Sequence, residues 1–231
     1  MSKIKLYSDN LSQPCRAVEI FLLTNNIPYE LEFIDLLEGK QKKKHFCEVN
    51  PLKKVPVIDD NGFIIRESVA ILRYLCNTQN CPDHWYPKDL KLRALVDEYL
   101  SWHHLETRNK CYSYIRYKSV EPLVSGHPPD ENVLNKMESE MNDVLDNLDR
   151  IWLKNKLFLT SNSLTIADLL AATELEQLAI ANFDPTCSRP ALAAWIQRVI
   201  KLTNPYYDNV HKRLKYFNKL KTERSLNEKQ K

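Results

Sequence analysis

Glycine is scarce, with three residues in a chain of 231. That argues against glycine-rich phosphate loops and low-complexity linkers. No stretch approaches the roughly 20 apolar residues a bilayer-spanning helix needs, so no membrane partner is expected. Cys15, Cys47, Cys76, Cys81, Cys111 and Cys187 form no CxxC pair and no His-Cys metal pattern. No metal is therefore expected. The first ten residues, Met-Ser-Lys-Ile-Lys-Leu-Tyr-Ser-Asp-Asn, lack the apolar run of a signal peptide, and the expectation is a cytoplasmic protein with reduced thiols. A broad basic surface is also missing. The formal charge is +3, but His211 to Lys231 hold eight Lys or Arg against Glu223 and Glu228. The rest of the chain carries 25 basic and 28 acidic residues. A nucleic-acid binder spreads basic residues over a folded face, so no nucleic-acid partner is expected.

What is there is ordinary for a soluble globular protein: 43% hydrophobic and 27% charged residues. A chain of this size buries enough apolar surface to fold without disulfides or structural metals. Ile4, Leu6 and Tyr7 read as a strand ending at Ser8-Asp9-Asn10. Ser12-Gln13-Pro14 reads as a helix start, with a capping hydroxyl and proline in the first turn. Ala17, Val18, Ile20, Phe21 and Leu22 continue a helical stripe, stopped by Asn25-Asn26-Ile27-Pro28. Tyr29 to Ile34 alternates as a second strand, completing a parallel βαβ unit. Glu38 to Glu48 is polar and reads as a loop with an irregular helix. Val55 to Ile58 and Phe63 to Ile65 flank Asn61-Gly62, a strong hairpin signal. Glu67-Ser68 leads into a helix through Val69, Ile71, Leu72, Tyr74 and Leu75, with Ser68 in capping position. The order βαβ then ββα is that of an α/β thioredoxin-like domain.

Beyond residue 80 strand patterns are nearly absent. The reading divides the chain into a thioredoxin-like domain at 1–80, a linker at 81–91 and an all-α domain at 92–231 with a basic C-terminal tail. Leu90 to Tyr117 reads as one helix with Leu92, Leu95, Val96, Tyr99, Leu100 and Trp102 on its apolar stripe. Asp130 can cap a helix carrying Met137, Met141, Val144, Leu145, Leu148, Ile151 and Trp152. Thr165 and Asp168 have capping-box spacing, a folding role with no chemistry. Pro190 and Pro205 open two further helices, and residues from Lys219 onward read as a disordered tail.

In a thioredoxin-like fold the first helix start favours an anion such as a thiolate. Ser12-Gln13-Pro14-Cys15 puts a hydroxyl where a disulfide oxidoreductase keeps its attacking cysteine. Serine cannot form a disulfide, so a stabilised sulfur must come from a ligand. A free thiol has a pKa near 8.5, and lowering it by about two units takes about 2.7 kcal/mol. A charge-assisted hydrogen bond contributes about 1.5–3 kcal/mol and the helix terminus about 0.3–1 kcal/mol. One hydroxyl is enough. The plainer alternative is that Ser12 only caps the helix.

Several motifs go beyond these patterns. Ser12-Gln13-Pro14-Cys15-Arg16-Ala17, Val49 to Pro56, Glu67-Ser68-Val69-Ala70-Ile71-Leu72, Trp85-Tyr86-Pro87, Val96 to Leu100 and Ser163 to Leu169 closely resemble the theta class of glutathione transferases, from about Ile4 to about Trp195. The resemblance implies a glutathione transferase fold and a homodimer. It implies a detoxifying enzyme that activates glutathione as a thiolate at Ser12 and conjugates it to alkyl halides, epoxides and reactive esters. Peroxidase activity is an extension, and glutathione is the only co-substrate. By the same resemblance Pro56 is cis, letting Val55 pair its backbone with the cysteinyl residue of glutathione. Glu67 faces the γ-glutamyl ammonium and Ser68 with the helix N-terminus binds its carboxylate. Lys54 neutralises the glycyl carboxylate or binds nearby backbone, and Arg108 is directed toward the sulfur.

Two departures from the family pattern appear. Gln41 stands where theta enzymes commonly place a histidine, flanked by Lys40 and Lys42-Lys43-Lys44. Its amide can still contact glutathione, though a solvated basic loop fits equally well. The chain also ends in charged residues where theta enzymes often have an apolar segment over the sulfur. Two other functions fit less well: a transferase-like ligand-binding or assembly protein with little catalysis, and thiol–disulfide exchange through Cys15.

Overall fold

The computed structural model describes residues 4–228, with side chains for 4–221. They form two compact units, one of Met1–Pro82 with Thr203–Lys231 and one of Asp83–Leu202.

The first unit is built on four strands, β1 (Ile4–Ser8), β2 (Tyr29–Phe33), β3 (Val57–Asp60) and β4 (Phe63–Arg66), in the order β2-β1-β3-β4. Strand β1 runs parallel to β2 with Ile4 opposite Tyr29, and antiparallel to β3 with Leu6 opposite Ile58. The crossover between β1 and β2 is α1 (Gln13–Thr24), as the βαβ reading requires. Between β3 and β4 the loop is Asn61-Gly62, both with positive φ (58° and 89°). That conformation suits a two-residue hairpin and few residues other than asparagine and glycine. The Gly62 amide is also held by Asp59 Oδ1 at 2.6 Å.

Along β1 every second residue is buried, Ile4, Leu6 and Ser8. On the opposite face Tyr7 packs against a small core of Ile34, Phe46 and Val57. Between β2 and β3 lie a 3₁₀ turn (Lys40–Lys42) and α2 (Lys44–Val49), the irregular helix anticipated there. Helix α3 (Ser68–Thr78) follows β4. Its capping position is Glu67 rather than Ser68, and no side chain caps it. The last helix, α10 (Tyr206–Glu228), belongs to this unit and packs on α1. It overturns the disordered reading of the tail for residues 219–228, since Lys, Leu, Glu and Arg are all good helix formers; the last three residues of that reading lie outside the described ones.

The second unit is helical: α4 (Leu90–His103), α5 (Asn109–Ile115), α6 (Glu121–Ser125), α7 (Glu131–Asn147), α8 (Ile166–Glu176) and α9 (Pro190–Thr203, its last residue in the other unit). The first three form one continuous helix joined by π-turns at His104–Arg108 and Arg116–Val120. It therefore runs beyond Tyr117. Asp89 caps its start, and Asp130 caps α7 through the Asn132 and Val133 amides. The capping box of Thr165 and Asp168 is formed. Asp168 does more than cap. Its Oδ1 also accepts from the Leu159 amide and the Trp195 indole, both at 2.9 Å. Leu92 and Leu95, expected on the buried stripe of α4, are 45% and 43% exposed. The stripe is wider than the core beneath it.

Candidate functional site

Register decides what meets what in the first unit. Tyr7 pairs with Val57, and Val57 pairs with Arg66. Extending both ladders by one step sets residues 8, 56 and 67 side by side. The carboxyl ends of β1 and β4, the amino end of β3 and the amino ends of α1 and α3 thus share one edge of the sheet. Ser12, Val55, Pro56, Glu67 and Ser68 all lie there. Gln41 and Lys54 sit on the connection that runs between β2 and β3, one on each side of α2. Arg108 belongs to the second unit.

Ser12 is the N-cap of α1 with extended backbone (φ −84°, ψ 127°), and Pro14 lies in the first turn. The expected capping bond from its hydroxyl is absent. The half-buried Ser12 is instead held by its backbone, its amide donating to Asp9 O at 2.9 Å. Cys15, one turn on, is fully buried. Burial pushes its thiol pKa up against the opposing influence of the Ser12 and Ser8 hydroxyls. A buried, protonated thiol is a poor redox nucleophile, which disfavours exchange through Cys15.

The turn that carries Ser12 depends on residues the sequence patterns did not single out. Asp9 is buried, and its carboxylate accepts from the Leu11 and Leu36 amides at 2.9 Å each. Arg16, also buried, donates Nη1 to Asn10 O at 2.8 Å. Asn50 plays the same part for the second segment. Its Nδ2 donates to Lys54 O at 2.7 Å and its Oδ1 accepts from Leu52 N at 3.0 Å. The signals were present as Asp9-Asn10 and Asn50-Pro51, turn formers by composition, but which backbone groups they serve is a tertiary matter.

The Val55–Pro56 bond is cis, and both residues precede the first paired residue of β3. Glu67, exposed, has φ 69° and ψ 117°, a conformation costing a non-glycine residue about 1–3 kcal/mol. Arg66 beside it anchors the strand end by donating Nη2 to Val49 O at 2.6 Å. Lys54 is exposed and Gln41 half-buried, with Gln41 Oε1 buried and without a partner. Among the described residues no three His, Cys, Asp or Glu side chains converge as a metal would need.

In the second unit Arg108 closes a π-turn, and its Nη1 donates to Glu174 Oε2 at 2.8 Å. The Glu174 side chain is 1% exposed and that of Arg108 33%. No local pattern points to this carboxylate partner, 66 residues away. Next to it the buried Tyr99 hydroxyl lies 3.3 Å from His103 Nδ1 and 3.4 Å from Thr107 Oγ1. Burial, with the charges of His104 and Arg108, pushes the His103 pKa down to about 3.

Comparison with known proteins gives consistent matches. Residues 6–83 match the glutathione S-transferase N-terminal domain and residues 112–202 the glutathione S-transferase C-terminal domain. Glutathione S-transferase theta-3 of Mus musculus is 45% identical over 196 residues, 85% of this chain and 81% of its own. Human glutathione S-transferase T1-1 in apo form has a TM-score of 0.87 at 42% identity, covering 90% of this chain and 87% of that one. A human theta-class enzyme in complex with the glutathione conjugate of 1-menaphthyl sulfate has a TM-score of 0.91 at 35% identity, covering 97% and 92%.

Proposed function

The chain belongs to the glutathione S-transferase family, with relatives of the theta class, and from that premise we propose that the Ser12 hydroxyl donates the hydrogen bond that keeps glutathione's sulfur ionised. The protein is an enzyme that conjugates glutathione, and the ligand-carrier alternative is not favoured. The observation that carries the assignment is a half-exposed hydroxyl at the start of α1 that makes no capping bond to its own helix. A hydroxyl not spent on capping its own helix can turn its donor to a ligand anion, with the helix terminus adding to the pull.

The sulfur loses its proton to solvent. The thiolate lone pair then attacks an electrophilic carbon, and a halide, ester oxyanion or opened epoxide oxygen leaves with the bonding electrons. Proximity and a desolvated sulfur provide most of the acceleration. Small alkyl halides, epoxides and reactive esters are the proposed substrates, with hydroperoxides as a further class. Val55 would pair its backbone with the cysteinyl residue, beside the cis Pro56. Glu67 would face the γ-glutamyl ammonium, and Ser68 with the amino end of α3 would bind its carboxylate. The strained backbone of Glu67 supports that role, since such strain concentrates where ligands are gripped. Lys54 would meet the glycyl carboxylate, and the buried, partnerless Gln41 Oε1 supports a ligand contact for that amide. Arg108 would act toward the sulfur in addition to neutralising Glu174.

The glutathione-binding domain is proposed as residues 1–80, joined through 81–91 to the helical 92–231. The six thiols suit the reducing cytoplasm, and a homodimer is the proposed assembly. The deciding measurement is the ultraviolet difference spectrum of bound glutathione against pH. Wild type should show thiolate near neutrality and Ser12→Ala should not. An equal thiolate signal in both proteins would refute the assignment.

A further inference from the structure

We propose that Arg213, on the last helix of the chain, is a positioning residue for the turn that presents Ser12. The inference rests on the thiolate role given to Ser12 above. Asp9 is buried, with its side chain 0% exposed. Arg213 reaches it from 204 positions away, with Nε to Oδ1 at 2.8 Å and Nη2 to Oδ2 at 3.3 Å. The same Nη2 meets Asp35 Oδ1 at 3.2 Å. The guanidinium carbon lies 4.8 Å from the centroid of the Phe33 ring. One planar fork thus spans the residue that follows β1 and the segment that follows β2, a geometry arginine suits and lysine does not.

Asp9 is the hub of the turn. Its carboxylate holds the Leu11 and Leu36 amides, and its backbone carbonyl accepts from the Ser12 amide. Whatever fixes Asp9 therefore fixes the backbone two and three residues on. Arg213 is itself fixed, because α10 buries Tyr207, Val210, His211 and Leu214 and packs on α1. Two consequences follow if the guanidinium is removed. A buried carboxylate without a cation is drawn toward water, which loosens the turn. Its field also goes uncompensated three residues from the hydroxyl, where it opposes a second negative charge on a ligand's sulfur. Both effects push the ligand thiol's pKa in the same direction, upward.

The test is the pH titration of the thiolate absorbance of bound glutathione in Arg213→Met, which keeps the side-chain stem over Phe33. The pKa should rise by about one unit, lowering kcat/KM about tenfold below the wild-type pKa while leaving it near wild type well above the new one. Arg213→Lys should give a smaller rise of about half a unit, because one ammonium cannot bridge both carboxylates. It carries the measurement if the methionine variant does not fold. Lys212→Ala, on the exposed side of the same helix, should titrate like wild type. A wild-type pKa in folded Arg213→Met, or in Arg213→Lys if that is the variant that folds, overturns the proposal even if stability has dropped. Ser12→Ala run in parallel separates the two readings. Loss of thiolate there with no change at Arg213 sinks only the positioning role, and thiolate surviving there sinks the Ser12 assignment itself.

Discussion

Arg108 sits against a buried carboxylate, so its removal should have two effects that can be told apart. Taking the guanidinium away from the buried Glu174 carboxylate should lower stability by about 1–3 kcal/mol, measured by chemical denaturation of Arg108→Ala. Adding Glu174→Gln removes the buried charge and should restore most of that loss. If turnover stays low in the stable double variant, the arginine also acts on the reaction. If turnover returns with stability, its role is to support the fold. The buried histidines give a second forecast. His103 and His211 have pKa values pushed down to about 3, chiefly by burial. Between about pH 3 and the ordinary value near 6.5, only the unfolded chain takes up these protons. Stability is therefore full above about pH 6.5 and falls on acidification by about 1.4 kcal/mol per pH unit for each histidine. His211→Gln should remove about half of the slope between pH 6 and pH 5, before ordinary carboxylates begin to titrate. An unchanged slope would mean His211 is solvated. At this scale, residues that act next to their own backbone could be read from sequence. The place of Ser12 at a helix start is legible because that start is local, whereas the tertiary partner of Arg108 leaves no mark near either residue.

Elements whose signals are short-range came out as expected. The Asn61-Gly62 hairpin, the Asp130 cap and the Thr165–Asp168 box each span a few residues, so their chemistry is written within one window of sequence. Where a helix end answers to its surroundings, the local pattern misled. Ser68 has good capping chemistry, yet the strained Glu67 takes the capping position, because β4 must turn sharply into α3 at the edge where the candidate site lies. The π-turns of the long helix carry no local signature either, although one of them delivers Arg108. The hairpin offers a clean test of an element apart from the site. Gly62 has φ 89° and nothing within 4 Å of the position a Cβ would occupy, so Gly62→Ala meets only backbone strain, about 1–2 kcal/mol. The turn lies at the Asp60–Phe63 end of the sheet, opposite the Val57–Arg66 end that carries the candidate residues. The variant should lose stability by that amount in denaturation while its bound glutathione titrates like wild type. A shifted thiolate titration would mean that strain at one end of the sheet reaches the other.

For the whole molecule, periodicity locates an apolar stripe but says nothing about what covers it. Leu92 and Leu95 fit the same helical spacing as Val96, Tyr99 and Leu100. The last three are buried in the second unit, while the two leucines remain 45% and 43% exposed. In the proposed homodimer a second copy would cover both leucines. Burying what remains open of four leucines, two from each copy, contributes on the order of 0.7–1.4 kcal/mol apiece because each is already more than half covered, enough to move the assembly equilibrium by about two to four decades. Sedimentation should therefore give a dimer at micromolar concentration for wild type. It should give a monomer for the double variant Leu92→Glu with Leu95→Glu, with the helical circular dichroism retained. A variant that still sediments as a dimer would put the interface elsewhere on the chain, and a wild type that sediments as a monomer would remove the assembly altogether.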